Sequence, residues 1–233
     1  MPATPDPVVA VDDAVLTGPD LRELLDGAGG AVLRRCTADE PDLRGADLSG
    51  ATLEQCRFPG ADLRGATMEA VTVRGGSLAG AVLLDADLTD AVFSAVDLSR
   101  ARLTGALLTE TRFDGCRMIG ADLSGLRGLA VSYSLDGSTL GLANLQDVLW
   151  RGVTLRGVDL SEADLRGADL RGATLLDCVL RDVDLAHTKL AGADLRGADL
   201  GGLTEDAPRT LRGAIVSEAQ AADVCRALGL VVG

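Results

Sequence analysis

Aromatic side chains are scarce in this chain of 233 residues, which contains only Phe58, Phe93, Phe113, Tyr133 and Trp150. Hydrophobic residues nevertheless make up 47% of the sequence, enough for a sizeable core and too many for a disordered chain. Gly occurs 29 times. A core with few rings and many Leu, Val, Ala and Gly residues must be assembled from small, similar pieces.

Basic residues are also in short supply. The chain has 22 Lys and Arg residues against 35 Asp and Glu residues, a net charge of -13, and Lys189 is its only lysine. Non-specific nucleic-acid binding needs Lys and Arg to neutralise phosphates, so we expect no direct contact with nucleic acid. No apolar run approaches the roughly 18 residues of a membrane span, and the acidic N-terminus is unlike a secretory signal. We therefore expect a cytoplasmic protein that does not associate with membranes.

The groups that usually carry catalysis or bind metals are few. His187 is the only histidine, and no GxSxG, HExxH or phosphate-loop pattern is present. The cysteines are widely spaced, with no CxxC pair; they are Cys36, Cys56, Cys116, Cys178 and Cys225. We expect reduced, buried thiols, no cofactor, no metal site and no enzymatic activity.

What the sequence does have is a five-residue repeat. A large apolar residue, here called the centre of a pentad, falls every five residues from Leu33 to Leu123, with Ala38 the weak member, and again from Leu135 to Leu200. The residue two before each centre is nearly always small, and the residue two after it is often Gly. Apolar positions two apart share one side of an extended segment, and Gly accepts a sharp corner. A helical period of 3.6 does not fit, so the pattern predicts an all-β solenoid.

The repeat divides the chain into five segments. Residues 1–30 are an N-terminal extension with a short helix, and residues 31–123 and 135–202 are two β-helix segments. Residues 124–134 change the phase of the repeat by two, as a loop or bulge does. Residues 203–233 are a C-terminal cap in which Ser217 and Gln220 form a capping box before a short helix.

Apolar residues are plentiful in this last segment, more than the small end of one rod needs to cover. We therefore expect it to form a dimer interface as well as a cap. The residues of this predicted interface are Ile215, Val216, Ala221, Val224, Cys225, Leu228, Leu230 and Val231. The alternative is an end cap only.

The repeat resembles the pentapeptide-repeat proteins, whose A(D/N)LxG-like pentads form a right-handed, four-sided β-helix with four pentads in each coil. The resemblance covers about residues 31–202, which implies about eight coils and a rod on the order of 40 Å long. The C-terminal segment, with its short helix and apolar ending, is similar to that of the MfpA- and Qnr-type quinolone-resistance members. The resemblance implies an acidic homodimer that mimics DNA and occupies the DNA-binding saddle of DNA gyrase or another type II topoisomerase.

Grouping every fourth pentad predicts where the acidic residues gather. One column in the first series has no Lys or Arg and carries Asp47, Glu69, Asp87, Asp90 and Glu110. The most acidic column of the second series carries Asp159, Glu162 and Asp199. We take these eight residues as a candidate DNA-mimic site, although the shape of 124–134 decides whether the two columns join. The alternative is a generic protein-interaction scaffold with no topoisomerase role, whose acidity serves only solubility.

Overall fold

The computed structural model describes residues 9–26, 30–127 and 132–233. It is a parallel β-solenoid of about eight coils, in which most paired positions are 20 residues apart, as Leu33 and Leu53 are. The regular strands have three residues each and lie on one side of the rod; they are β1 (Ala10–Asp12), β2 (Val32–Arg34), β3 (Thr52–Glu54), β4 (Thr72–Arg74), β5 (Val92–Ser94), β6 (Arg112–Asp114), β7 (Thr154–Arg156) and β8 (Thr174–Leu176). All the neighbouring pairs among them are parallel. The predicted solenoid is confirmed.

Four columns of paired positions run along the rod, because four pentads complete one coil. Each column is a face, numbered in chain order and defined by its centres. Face 1 has Leu33, Leu53, Val73, Phe93, Phe113, Leu135, Leu155, Leu175 and Leu195. Face 2 has Ala38, Phe58, Leu78, Leu98, Met118, Leu140, Leu160, Leu180 and Leu200. Face 3 has Leu43, Leu63, Leu83, Leu103, Leu123, Leu145, Leu165 and Leu185. Face 4 has Leu48, Met68, Leu88, Leu108, Trp150, Leu170 and Leu190.

The centres fill the interior of the rod together with the small residues two positions before them. Almost all of these side chains are buried, and the rings of Phe93 and Phe113 stack with their centroids 5.1 Å apart. Cys36, Cys56, Cys116 and Cys178 occupy small-residue positions as free, buried thiols. Burial raises the pKa of the Cys56 thiol to about 11, so it stays protonated at neutral pH.

The residue two after each centre forms the corner between two faces. Its backbone is left-handed whether the residue is Gly, as at Gly167 (φ 73°), or not, as at Asp90 (φ 58°) and Arg100 (φ 58°). A left-handed conformation costs a non-glycine residue roughly 1–2 kcal/mol. The stacking of the coils has to offset that cost. Because it does so, the corner position accepts charged side chains as well as Gly.

The change of phase is absorbed within one coil. Arg112, Arg117 and Asp122 pair with Ser134, Thr139 and Asn144, an offset of 22 residues instead of 20. The extra two residues follow Arg127, which itself pairs normally with Leu107, and part of this stretch, 128–131, lies outside the described residues. Faces 1, 2 and 3 therefore continue across the insertion.

The N-terminal end holds more of the solenoid than the sequence predicts. Strand β1 pairs with β2 and adds a partial coil before the first recognised pentad. Helix α1 (Gly18–Leu25) follows with a capping box between Thr17 and Asp20. Its Leu21 and Leu25 are buried and cover the end of the core. The helix lies in the N-terminal extension, where the sequence predicts a short helix.

At the other end, helix α2 (Ala207–Thr210) and helix α3 (Glu218–Ala227) follow the last pentad. The backbone of Ile215 pairs with that of Asp194 and so closes the last coil. Helix α3 has the capping box predicted from Ser217 and Gln220. The Gln220 amide also donates to the carbonyl oxygens of Leu195 and Ala198, at 2.8 Å each, which fixes the helix against the last coil.

Candidate functional site: an acidic face and an exposed C-terminal segment

The five carboxylates of the first predicted column lie together on face 4 or at its edges. Asp47 directly precedes its centre and Glu69 directly follows its own, whereas Asp90 and Glu110 occupy corners. Asp87 is half-buried, and the other four residues are exposed. None of the five has an ion pair within the described residues. We call this set, Asp47, Glu69, Asp87, Asp90 and Glu110, the acidic half of face 4.

Two of these aspartates also shape the backbone. The backbone N–H and the hydroxyl of Ser49 both donate to Asp47 Oδ1, at 3.0 and 2.6 Å. Thr89 donates in the same way to Asp87. The hydrogen bond from the Ser49 hydroxyl holds the pKa of Asp47 below its usual range. A neutral hydroxyl partner keeps the carboxylate ionised without cancelling its charge.

Pentads of the type Asp-Leu-Arg use the same turn with the opposite electrostatic result. Arg166 donates through its backbone N–H and its guanidinium to Asp164, and the guanidinium holds the pKa of Asp164 at about 2. Asp42 with Arg44 and Asp194 with Arg196 repeat this pairing. Such a pentad has the same turn as an Asp-Leu-Ser or Asp-Leu-Thr pentad but carries no net charge. This difference between paired and unpaired aspartates was not predicted from the sequence. The signal was available, because residues two apart on an extended segment point the same way.

Face 4 changes sign beyond Glu110. Its later coils carry exposed Arg127, Arg151 and Lys189, and Arg171, which is partly exposed. Arg151 and Arg171 share the buried carboxylate of Asp169, at 3.0 and 2.5 Å, so two cations surround one anion. We call Arg127, Arg151, Arg171 and Lys189 the basic half of face 4.

The second predicted column lies elsewhere. Asp159 and Asp199 belong to pentads of face 2, and Glu162 is the corner that follows Asp159. Faces 2 and 4 point in opposite directions across a four-sided rod, so the eight predicted residues do not form one column. Arg181 also pairs with Asp199 at 2.5 Å and lowers its pKa, so this group is the less negative of the two.

The predicted interface residues of the C-terminal segment are largely uncovered. Helix α3 has no buried residue; Ala221 is exposed, and Val224 and Cys225 are partly exposed. The large side chains around it are exposed by 45% at Ile215, 48% at Leu228, 56% at Leu230 and 99% at Val231. Only Val216 among the predicted residues packs against the core.

The described residues hold no group of three His, Cys, Asp or Glu side chains placed to bind a metal ion. A cavity of about 650 Å³ opens between the last coil and helix α2, and its lining includes Leu185, His187, Leu200 and Arg209. His187 is at a corner, with φ 63°. Among the described residues, no helix is both long and apolar enough to cross a bilayer.

Comparison with protein families identifies the repeat. The family model for pentapeptide repeats matches eight copies, over residues 31–69, 42–78, 68–105, 86–125, 135–177 and 178–202. The chain belongs to the pentapeptide-repeat family. A comparison of this pentapeptide-repeat sequence with curated proteins gives no match.

Solved structures share the fold of this pentapeptide-repeat protein over nearly its whole length. A trypsin-treated variant of QnrB1, a plasmid-mediated fluoroquinolone resistance protein, matches with a TM-score of 0.65 and 22% identity, covering 97% of this chain and 98% of that one. Full-length QnrB1 matches with a TM-score of 0.56 and 22% identity, covering 95% and 100%. HetL from the cyanobacterium Nostoc, involved in heterocyst differentiation regulation, is 30% identical over 83% of this chain and 85% of its own, with a TM-score of 0.43.

Proposed function

We propose that this pentapeptide-repeat protein is a non-enzymatic binding protein that mimics DNA and occupies the DNA-binding saddle of a type II topoisomerase such as DNA gyrase. Binding there would inhibit the enzyme and protect it from quinolones or other topoisomerase poisons. The observation that carries the proposal is the acidic half of face 4, an array of carboxylates on one side of the rod that form no ion pair with any described residue. The fold it shares with a plasmid-mediated fluoroquinolone resistance protein agrees with a role in protection from quinolones.

The spacing of the acidic half suits a surface that binds DNA. Successive coils are about 4.8 Å apart, so its five carboxylates are distributed over about 15–20 Å. That is roughly one negative charge per 4 Å, close to the 3.4 Å between phosphates of one DNA strand. A basic groove that accepts a strand of phosphates therefore meets a similar linear charge density here.

We restrict the proposed binding site to face 4. The group formed by Asp159, Glu162 and Asp199 is on the opposite side, and Arg181 neutralises part of it. A single groove cannot contact both faces of one rod at the same time.

A supercoiling assay with purified DNA gyrase, with and without a quinolone, tests the proposal. We expect micromolar protein to inhibit supercoiling or to reduce quinolone-induced DNA cleavage. The Asp90→Arg/Glu110→Arg variant should need at least about tenfold more protein for the same effect, because two opposed charges become repulsive. Arginine fits these corners, since Arg100 adopts the same left-handed backbone.

The matched control is Asp177→Arg/Asp182→Arg. Both residues are exposed corners with φ 53° and 55°, both lie away from face 4, and the change in net charge is the same. This control should act like the unchanged protein. Absence of any effect of the unchanged protein would refute the topoisomerase role and favour a generic interaction scaffold, whereas equal losses in both variants would refute the choice of face 4.

We also propose that the C-terminal segment joins two copies into a homodimer. The exposed apolar side chains of Leu228, Leu230 and Val231 support this, because patches of this kind mark contact surfaces. Light scattering should give the mass of a dimer for the intact chain and of a monomer for Leu228→Asp/Val231→Asp, whose altered side chains are 48% and 99% exposed. A monomer in both cases would leave the segment as an end cap only.

A further inference from the structure

Face 2, which has no part in the proposed topoisomerase site, carries charges of both signs that its own chain leaves unpaired. Arg57 and Arg117 are exposed, and Asp97 and Asp159 are half-buried. None of these four residues has an ion pair within the described residues. Face 3 differs, because three of its Asp-Leu-Arg pentads pair their charges internally. The charges of face 2 are therefore available to a second molecule.

This face runs along the whole rod. The nine centres of face 2, from Ala38 to Leu200, define coils 1 to 9, and the pairing of Val15 with Thr37 adds a level before coil 1. The face continues past the insertion, because Arg117 pairs with Thr139. All residues of face 2 lie within the described ranges. The middle of the face is between coils 4 and 5.

We propose that face 2 binds face 2 of a second copy of this chain, with the two rods side by side and antiparallel. The twofold axis lies between coils 4 and 5, in the plane between the two faces, and runs along the strand direction. This operation reverses the order of the coils but leaves the position along a strand unchanged. Coil 2 of one copy therefore meets coil 7 of the other, and a residue directly before its centre meets a residue directly before the other centre.

The unpaired charges match in this arrangement. Arg57 of coil 2 meets Asp159 of coil 7, and all four unpaired residues directly precede their centres. Asp97 of coil 4 meets Arg117 of coil 5. Around the axis, the two copies of Asp97 and the two copies of Arg117 alternate in sign. The twofold axis forms each pair twice.

The outer coils follow the same rule. Asp39 of coil 1 and Arg181 of coil 8 both directly follow their centres, so they also meet. Arg181 pairs with Asp199 of its own chain, so two carboxylates share this cation. Every charged residue adjacent to a centre on coils 1 to 8 then faces an opposite charge. The one match of like charges, Glu40 with Asp182, is between corner residues at the edge of the face.

The charges select one register and one orientation. A shift by one coil in either direction places Arg117 or Asp97 opposite its own copy and separates all the matched pairs. A parallel arrangement places the residue before each centre opposite the residue after the same centre, and no opposite charges meet there. The register that matches the charges also overlaps the two rods over the full length of face 2.

The size of the contact predicts a weak association. It would be about 43 Å long and about 10 Å wide, so it buries about 850 Å² in total. That area is small for a stable interface. We expect an association that depends on ion pairs and disappears at high salt.

This association is independent of the proposed function. Faces 2 and 4 point in opposite directions, so the paired rods leave the acidic half of face 4 uncovered. The contact needs no topoisomerase and does not involve the apolar C-terminal segment. It gives Asp159, which the sequence grouped with the DNA-mimic residues, a partner of its own.

Two charge exchanges with the same net charge test the proposal by sedimentation, in the full-length Leu228→Asp/Val231→Asp background. The background protein should associate at about 50 mM salt and dissociate at about 500 mM. Arg57→Asp/Asp159→Arg exchanges residues that face each other, so the contacts stay attractive and association should be unchanged. Arg57→Asp/Asp97→Arg exchanges residues that do not face each other, so attractive contacts become repulsive and association should weaken by at least about tenfold.

Both exchange variants should fold, because Arg and Asp each occupy this pentad position elsewhere in the chain, as at Arg102 and Asp122. Circular dichroism checks this. A background protein that is monomeric at low salt would overturn the proposal. Two folded exchange variants that associate equally, or that both remain monomeric, would overturn it as well.

Cross-linking tests the orientation without any change of charge on face 2. Ser99 directly follows the centre of coil 4, so it lies about one coil spacing along the rod from its own copy, whereas Thr37 of coil 1 lies about 34 Å from its own copy. In the same background, with Cys225→Ser to remove the one thiol that is not buried, Ser99→Cys should be cross-linked by a short bis-maleimide at low salt. Thr37→Cys should not. Cross-linking at Thr37→Cys, or its absence at Ser99→Cys, would refute the antiparallel arrangement.

Discussion

Two kinds of pentad build this rod with the same fold and opposite electrostatics. In Asp164-Leu165-Arg166 the guanidinium turns back onto the carboxylate, whereas in Asp87-Leu88-Thr89 a hydroxyl takes its place. Both aspartates accept the backbone N–H of the residue after the centre, and both leucines are fully buried. The difference teaches that one residue per pentad, directly after the centre, decides whether a coil presents a negative charge.

Substitution of the buried leucine should destabilise both kinds of pentad equally. This loss of stability is the largest effect that we expect. Leu88→Ala and Leu165→Ala each leave a cavity at a position with 0% exposure, which costs about 2–5 kcal/mol. Denaturation with urea should show losses of similar size in both variants. A much smaller loss at either site would mean that the two pentads differ inside the rod as well as outside.

Conversion of an uncompensated pentad into an Asp-Leu-Arg pentad should weaken target binding, although no carboxylate is removed. Ser49→Arg/Thr89→Arg creates Asp-Leu-Arg pentads at Asp47 and Asp87, where the new guanidinium can pair as Arg166 does. We expect topoisomerase inhibition to weaken by about tenfold, or about 1.4 kcal/mol, in the supercoiling assay.

The thermal stability of this double variant should stay close to that of the unchanged protein, because the turn keeps its backbone hydrogen bond. Full retention of inhibition would show that the target does not sense the uncompensated charge of these pentads.

The smallest expected effect is the response of an ion-paired pentad to acid. The Arg166 guanidinium, with smaller contributions from the Gln146 amide and a backbone N–H, lowers the pKa of folded Asp164 from 3.8 to about 2, so these interactions stabilise the fold above pH 3.8 and are lost as the pH falls towards 2. Carbon-detected NMR titration should place the midpoint of Asp164 near 2, and Arg166→Ser should move it towards 3.8.

At neutral pH the same substitution should leave the thermal stability nearly unchanged, because the Arg166 side chain is 51% exposed and solvent screens the pair. An unchanged midpoint in Arg166→Ser would mean that backbone N–H groups and Gln146, which also donates to Asp164, hold the carboxylate on their own.

The repeat predicted the solenoid and its centres, and the local sequence predicted the Ser217–Gln220 capping box, because each of these depends on residues within a few positions of one another. Sharp corners were expected at Gly, but the left-handed backbone of the non-glycine corners was not predicted. The repeat could not predict whether Asp47 and Asp159 lie on the same face, because that depends on how the coils pair across residues 124–134. Strand β1 was missed because one partial coil shows no period. The neutralised Asp-Leu-Arg pentads were missed for another reason: charges were summed by face instead of being paired by contact.

The 20-residue offset between stacked positions limits how the length of the rod can vary. Deletion of one whole coil would shorten the rod and leave every remaining charge pointing in its original direction. Deletion of a single pentad would rotate everything downstream by a quarter turn and bring a different face under Asp47 and Asp87. The two-residue insertion between Arg127 and Ser134 causes no such rotation, because faces 1, 2 and 3 keep their pairing across it. Homologous rods of different lengths should therefore differ by multiples of four pentads if they keep a binding face.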